Sequence, residues 1–146
     1  MPVFNHMNST LRICVDDASQ QTLRGRVFSQ RFLHPLKFSD MGSLCLYLED
    51  VFDTQKFPQA FQQARTIVPC SNDMSIVAPE PGDGMTPAVV RAARGAVATF
   101  EILVISRRSS TWQGSVDWLD GSDRQEFSSY LELMRMIDDR LFVKSN

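Results

Sequence analysis

An internal repeat constrains the fold of this chain more than any other feature. When the sequence is aligned with itself at an offset of 89 residues, 11–52 matches 100–141 without a gap. Nine of the 42 aligned positions are identical, whereas ordinary residue usage gives about two or three by chance. The identical pairs are Ile13/Ile102, Val15/Val104, Thr22/Thr111, Gly25/Gly114, Val27/Val116, Phe38/Phe127, Ser39/Ser128, Leu44/Leu133 and Asp50/Asp139. We interpret the two stretches as copies of one duplicated unit.

Each copy predicts three short strands followed by a helix. The stretches 11–16 and 98–107 are rich in β-branched and apolar residues and contain no proline, which is typical of a strand. A polar turn, a second strand that alternates apolar and polar residues, and a short third strand follow in each copy. Asp40 and Ser129 then occupy N-cap positions, and Glu132 completes a capping box with Ser129. Apolar residues at helical spacing follow both caps.

The repeat predicts the fold class. One unit of three strands and a helix buries little apolar surface alone, so the two copies are expected to share one core. The sequence therefore predicts an α+β fold in which a duplicated β-β-β-α unit forms a mainly antiparallel sheet of about six strands, packed by helices with pseudo-twofold symmetry. The strand order stays open, because one continuous sheet and two sheets curled into a half-barrel both fit.

The length of 146 residues fits a single domain. Within 1–146, repeat unit one is 11–52, a helix and a mobile loop occupy 53–97, and repeat unit two is 98–141. Pro58 is placed to begin the helix of the middle segment, because its missing N–H costs nothing in the first turn. The apolar stripe of that helix would consist of Phe61, Ala64 and Val68. The stretch 69–87 is rich in proline, glycine and acidic residues, which predicts an exposed loop.

The composition narrows the function classes. Apolar residues make up 43% and charged residues 22% of the chain, with a net charge of −2. This composition is typical of a globular protein, and the near-neutral charge disfavours a general polyanion binder. Apolar runs are too short for a membrane span, and no signal-peptide pattern is present, so we expect no membrane partner and a cytoplasmic location.

The residues that could support catalysis are few. His6 lies near the N-terminus and His34 precedes a proline, so neither has a cysteine partner by spacing. Three cysteines without a CxxC motif indicate reduced thiols. Cys14 and Cys45 fall on predicted buried positions, whereas Cys70 falls in the loop. We therefore expect no catalytic residues and no enzyme activity.

A metal or cofactor site is not indicated either. Asp117, Asp120 and Asp123 have the spacing of a cation-binding turn, but they lack the further acidic ligands of an EF-hand loop. Acidic turns are usually solvated, so we expect no metal and no cofactor.

Five arginines suggest an alternative function. Arg24 and Arg26 alternate onto one strand face, Arg12 projects from the neighbouring strand, and Arg107 and Arg108 lie at the equivalent hairpin tip of the second copy. If the helices cover only the other face, these side chains decorate an open sheet face of the kind on which nucleotides or RNA dock. The alternative prediction is therefore a nucleotide- or RNA-binding module.

The two tryptophans form the most distinctive pair. Trp112 and Trp118 share a strand face with Gly114 and Val116, which favours packing in the core beneath the second helix over an aromatic ligand platform.

A set of residues in the second copy carries a family resemblance. The set comprises Thr111-Trp112-Gln113-Gly114, Trp118, Phe127, Ser129, 131–133 and 137–138, together with Phe57-Pro58-Gln59 in the middle segment. It resembles the C-terminal signature and middle region of a family of small uncharacterised bacterial proteins. Those proteins carry arginine after the phenylalanine, where this chain has Ser128. The resemblance implies a bacterial or phage setting and no particular activity.

The first helix suggests a binding surface. Its predicted buried stripe consists of Met41, Leu44, Cys45, Leu48 and Phe52. Leu46 lies off that stripe, its counterpart in the second copy is Arg135, and Tyr47 adds apolar surface at the stripe's edge. We therefore predict a non-enzymatic binding or adaptor module that meets a protein partner through Leu46 and Tyr47. The simplest partner is a second copy across a twofold axis.

Overall fold

The computed structural model describes residues 3–19, 22–59 and 74–142. Six strands and three α-helices lie within these ranges. The strands are β1 (Leu11–Ser19), β2 (Thr22–Phe28), β3 (Leu36–Phe38), β4 (Ala98–Ser106), β5 (Gln113–Asp117) and β6 (Gln125–Phe127). The helices are α1 (Met41–Gln55), α2 (Pro87–Ala92) and α3 (Tyr130–Leu141). The predicted α+β class is confirmed.

The strands form one continuous antiparallel sheet in the order β3-β2-β1-β4-β5-β6. The first strand of each predicted unit lies at the centre, and the short third strand of each lies at an edge. The sheet is therefore undivided, which answers the question of strand order that the sequence leaves open.

Strand pairings in the two halves of the sheet correspond at the offset of 89. Val15 pairs with Gly25 between β1 and β2, and Val104 pairs with Gly114 between β4 and β5. The irregularity that follows Val15 in β1 has its counterpart after Val104 in β4. The two halves thus share their register. That they arose by duplication stays our interpretation of the correspondence.

The core lies between the sheet and the pair α1 and α3. Ile13 and Ile102 face these helices from the central strands, and the cluster continues outward to both edges. Trp112 is 3% exposed and Trp118 is 6% exposed, so both belong to the core, as predicted. The other large buried members include Leu11, Phe32, Phe52, Phe100, Val116, Phe127, Leu133 and Ile137.

The opposite face of the sheet is not open at its centre. Residues 93–97, which we call the strap, lead from α2 into β4 across this face. The backbone carbonyl of Ala93 accepts a hydrogen bond from Arg12 Nε at 2.9 Å, and that of Arg94 accepts one from Arg26 Nη2 at 2.8 Å. The expectation that helices cover only one face is therefore wrong at β1 and β2.

Side chains cap both long helices as predicted. The Asp40 carboxylate accepts the Ser43 N–H at 2.7 Å, and the Ser129 hydroxyl accepts the Glu132 N–H at 3.0 Å. Glu132 reaches back to accept the N–H of Ser128 at 2.6 Å. These bonds satisfy backbone donors that a helix N-terminus leaves unpaired.

The middle segment differs from its prediction. Helix α1 continues to Gln55 and ends at Lys56, whose φ of 59° is left-handed. Pro58 follows a cis peptide bond and does not begin a helix. Its carbonyl instead accepts a hydrogen bond from Arg107 at 2.6 Å, a contact that sequence spacing does not reveal. The proposed stripe of Phe61, Ala64 and Val68, and Cys70, lie outside the described residues.

The described part of the proline-rich stretch is packed rather than wholly exposed. Val77 is 8% exposed and Ala78 is fully buried. Val77 forms an isolated antiparallel bridge with Phe32, and the Ala78 N–H donates to the Arg31 carbonyl at 2.8 Å. The prediction of an exposed loop is therefore wrong at these two residues, because the chain returns to the sheet before entering α2.

Candidate functional site

The two residues of the predicted partner surface differ in exposure. Leu46 is 68% exposed on the outer side of α1, opposite Leu44 and Leu48, which are buried. Tyr47 is half-buried and packs against the core. Leu46 is thus the more accessible of the two, and Tyr47 contributes at most the margin of a contact surface.

Three of the five predicted arginines share a sheet face, but they do not form an open basic surface. Arg24 is exposed, while Arg12 is 4% exposed. Arg12 Nη1 donates to Glu101 at 2.8 Å, and its Nε donates to the strap. The prediction that Arg12 is available to a nucleic acid is wrong, because the strap and Glu101 enclose and neutralise its guanidinium.

Arg26 is held on the surface by its neighbours. Its Nε and Nη2 donate to the two carboxylate oxygens of Asp16 at 2.8 and 3.0 Å. Its guanidinium also lies 5.2 Å from the centre of the Phe28 ring. The hydrogen bond from Arg26 holds the pKa of Asp16 below its usual value. Arg26 is therefore bound in an ion pair rather than presented to an anionic ligand.

Arg107 lies on the other side of the sheet, beside α1. It is 4% exposed and donates to Glu49 at 2.9 Å and to Asp53 at 2.9 Å. Arg108 is exposed in the short 3-10 turn that follows β4. Arg107 is therefore not part of the predicted open face, because the irregularity late in β4 turns it toward the helix layer.

Glu49 joins Arg107 to the buried tryptophan. One carboxylate oxygen accepts from Arg107, and the other accepts from the Trp112 indole Nε1. The Trp112 ring packs edge-on against Phe52 and Tyr130, with centroid distances of 5.3 and 4.9 Å. This network anchors α1 to β5, and residue spacing alone does not reveal it.

A third buried arginine, Arg31, was missed by sequence reasoning. It is 1% exposed, and its Nη2 donates to the Phe57 carbonyl at 2.5 Å. Its guanidinium lies 4.8 Å from the Phe52 ring centre and 5.5 Å from that of Phe57. Burial, together with the charge of Arg107, lowers the pKa of Arg31 to about 9. Arg31 therefore ties the end of α1 to the loop before β3 and is shielded from ligands.

The acidic turn after β5 is engaged in surface contacts. Asp117 pairs with Arg124 at 3.6 Å, and Asp120 pairs with Arg140 of α3. Among the residues that the structure describes, no three His, Cys, Asp or Glu side chains are grouped to hold a metal ion. No helix within the described ranges is long and apolar enough to cross a membrane.

Comparison with known proteins adds no relative. No protein-family model, curated protein or solved structure matches this chain. The resemblance to small bacterial proteins stays a prediction.

Proposed function

We propose that this protein is a small binding module that acts through contacts with another protein and that the outer face of α1 is its contact surface. One observation carries the proposal. Leu46 is 68% exposed in the middle of a helix whose opposite side is anchored in the core. A large aliphatic side chain held rigidly in water loses unfavourable hydration when a partner covers it.

The residues around Leu46 define the partner's chemistry. One turn earlier stand Gly42 and Ser43, which are small and leave Leu46 protruding. One turn later stands Asp50, next to Glu49, whose carboxylate is already bonded to Arg107 and Trp112. Helix α1 contains no Lys or Arg. We infer a partner segment with an apolar side chain flanked by basic residues, because such charges complement an acidic helix face.

A second copy of this chain is less well supported as the partner. A twofold contact centred on Leu46 brings the acidic side of α1 close to its own counterpart, and like charges at an interface oppose association. A nucleotide- or RNA-binding role is also less well supported. Arg12 and Arg107 are buried in ion pairs and Arg26 is bonded to Asp16, so the five arginines do not share one accessible surface.

Peptide selection with matched variants tests the proposal. Peptides selected from a random library against the wild-type protein should carry an apolar residue flanked by Lys or Arg. Leu46→Arg introduces the residue type found at position 135 and should weaken their binding by about tenfold or more. Leu131→Arg is the matched control, because Leu131 is a similarly exposed leucine on α3, at 61%.

Equal binding of these peptides to wild type and Leu46→Arg contradicts the proposed surface. Light scattering of both proteins addresses the alternative partner. A wild-type dimer that Leu46→Arg converts to a monomer would identify a second copy as the occupant.

A further inference from the structure

A cavity of about 130 Å³ lies between the start of β2, the N-terminus of α1 and the C-terminal half of α3. Leu23 of β2 lines it from the sheet, and Met41, Met134, Ile137 and Phe142 line it from the helix layer. Three polar residues, Thr22, Asp40 and Asp138, also line it. The Asp40 carboxylate is bonded to Ser43 as the cap of α1, whereas Asp138 is exposed. The cavity thus has an apolar interior with the Asp138 carboxylate as an acceptor at its rim. An apolar cavity of about 150 Å³ accommodates a benzene ring, so this smaller cavity takes part of a bicyclic indole and leaves the rest of the ring at its rim.

The offset of 89 identifies the corresponding place in the other half. Leu23 corresponds to Trp112, and Asp138 corresponds to Glu49. The apolar lining residues Met41, Met134 and Ile137 correspond in turn to Tyr130, Cys45 and Leu48. Trp112 contacts the same apolar space as Tyr130, Cys45 and Leu48, and its indole Nε1 donates to Glu49. In that half of the sheet, the indole ring of Trp112 fills the space between the sheet and the helices.

The cavity therefore exists where leucine stands in place of tryptophan. Leu23 is too small to extend between the helices as Trp112 does, and no side chain of the described residues fills the remaining volume. Asp138 occupies the position of the indole acceptor. Among the described residues its carboxylate makes no side-chain hydrogen bond or ion pair, whereas Glu49 binds both Trp112 and Arg107.

We propose that this cavity binds an indole ring, supplied as the tryptophan side chain of a partner protein, with the ring N–H donated to Asp138. The chain has two tryptophans, and both are buried elsewhere in the core, so the ring must come from another molecule. The inference that a protein carries this ring rests on the proposed protein-binding function. The preference for indole rests on the lining of the cavity and on its correspondence with the space that Trp112 fills in the other half.

The first test uses N-acetyl-L-tryptophanamide as the probe and the methyl resonances of Met41 and Met134 as the readout. Saturable shifts of both resonances are expected, because an aromatic ring in the cavity lies against both side chains. Leu23→Trp places the counterpart's residue in the cavity and should weaken probe binding by about thirtyfold or more. Leu23→Phe fills the space less completely and is measured as well, in case Leu23→Trp does not fold.

The second test concerns the hydrogen bond. Asp138→Ala should weaken binding of the probe by about threefold to tenfold, whereas the adjacent control Asp139→Ala should leave it unchanged. The probe methylated on its indole nitrogen should bind wild type more weakly and should bind wild type and Asp138→Ala equally.

Three results would overturn the inference. They are the absence of saturable shifts in wild type, full binding by both Leu23 variants, and binding of free indole without binding of the tryptophan amide. The last result would mean that the site takes a small molecule instead of a partner's side chain. Leu46→Arg should retain full probe binding, so failure at the cavity and failure at the α1 surface are distinguishable.

Discussion

Arg12 and Glu101 form an ion pair of 2.8 Å across the two central strands, and they stand 89 residues apart in the chain. They correspond to each other at the sequence offset of 89, and β1 and β4 pair them directly. The hydroxyl of Tyr130 likewise donates at 3.1 Å to the carbonyl of Met41, again 89 residues away. Both contacts therefore lie where the two halves meet, one on the sheet and one between the helix N-termini.

The central ion pair yields the first prediction. Glu101→Ala leaves the buried Arg12 guanidinium without its carboxylate and should lower the free energy of unfolding by about 3–5 kcal/mol. Replacing both residues, in Arg12→Met with Glu101→Met, removes the uncompensated charge and should recover most of that loss. Urea unfolding measures both variants.

The exposed pair of Arg26 and Asp16 provides the control for this comparison. Asp16→Ala should cost about 1 kcal/mol or less, because solvent screens the pair. If Glu101→Ala is as mild as Asp16→Ala, the central pair contributes no more than a surface contact.

Two glycines that lie close to a neighbouring strand yield the second prediction, namely Gly25 of β2 beside β1 and Gly114 of β5 beside β4. A Cβ at Gly25 would overlap the carbonyl oxygen of Cys14, and one at Gly114 would overlap that of Leu103. Gly25→Ala and Gly114→Ala should each lower stability by about 1–3 kcal/mol or more, since the backbone must shift. Gly42→Ala on the exposed side of α1 should instead raise stability by about 0.5–1 kcal/mol. Thermal unfolding measures all three, and a neutral Gly114→Ala would contradict the close strand approach.

The indole hydrogen bond yields the third prediction. Trp112→Phe keeps an aromatic ring between Phe52 and Tyr130 but loses the donor to Glu49, and should cost about 1–3 kcal/mol. Trp112→Ala also leaves a large cavity and should cost about 3–5 kcal/mol. Chemical unfolding distinguishes the two. Equal stability of wild type and Trp112→Ala would mean that the ring does not pack in the core.

The thiol of Cys14 yields a prediction about pH. Burial raises the pKa of Cys14 above its ordinary 9.0, and this residue is fully buried. Above that pH the unfolded chain loses the thiol proton while the folded chain keeps it, so the free energy of unfolding should fall as pH rises. Alkylation at Cys14, followed by mass spectrometry of the peptide, should be slow in the native protein and fast in urea. Equal rates in both conditions would place the thiol at the surface.

Several parts of the fold could be predicted because they depend on short-range patterns. Alternation of apolar residues around Gly25 and Gly114 determines which face of β2 and β5 is buried, wherever those strands lie in the sheet. The caps Asp40 and Ser129 act on backbone groups three residues away, so their role is visible in the sequence.

The candidate sites were less accessible to sequence reasoning. The exposure of Leu46 followed from helical spacing, but the burial of Arg12 did not. Arg12 is enclosed by the carbonyl of Ala93, which is 81 residues away and belongs to the stretch outside the repeat. The cavity beside Leu23 was equally hidden, because it depends on how α3 packs beside the N-terminus of α1.

The sequence by itself thus determined most of the strands and helices of 11–52 and 98–141 and the faces that they bury, since these depend on periodicity and local hydrogen bonding. Tertiary structure alone decided which buried charges meet, as Arg107 meets Glu49 and Asp53, and which sheet face the strap covers. It also decided that the space filled by Trp112 in one half is an open cavity beside Leu23 in the other. These outcomes depend on contacts between residues tens of positions apart, whose partners are chosen by packing of the whole core rather than by neighbours in the chain.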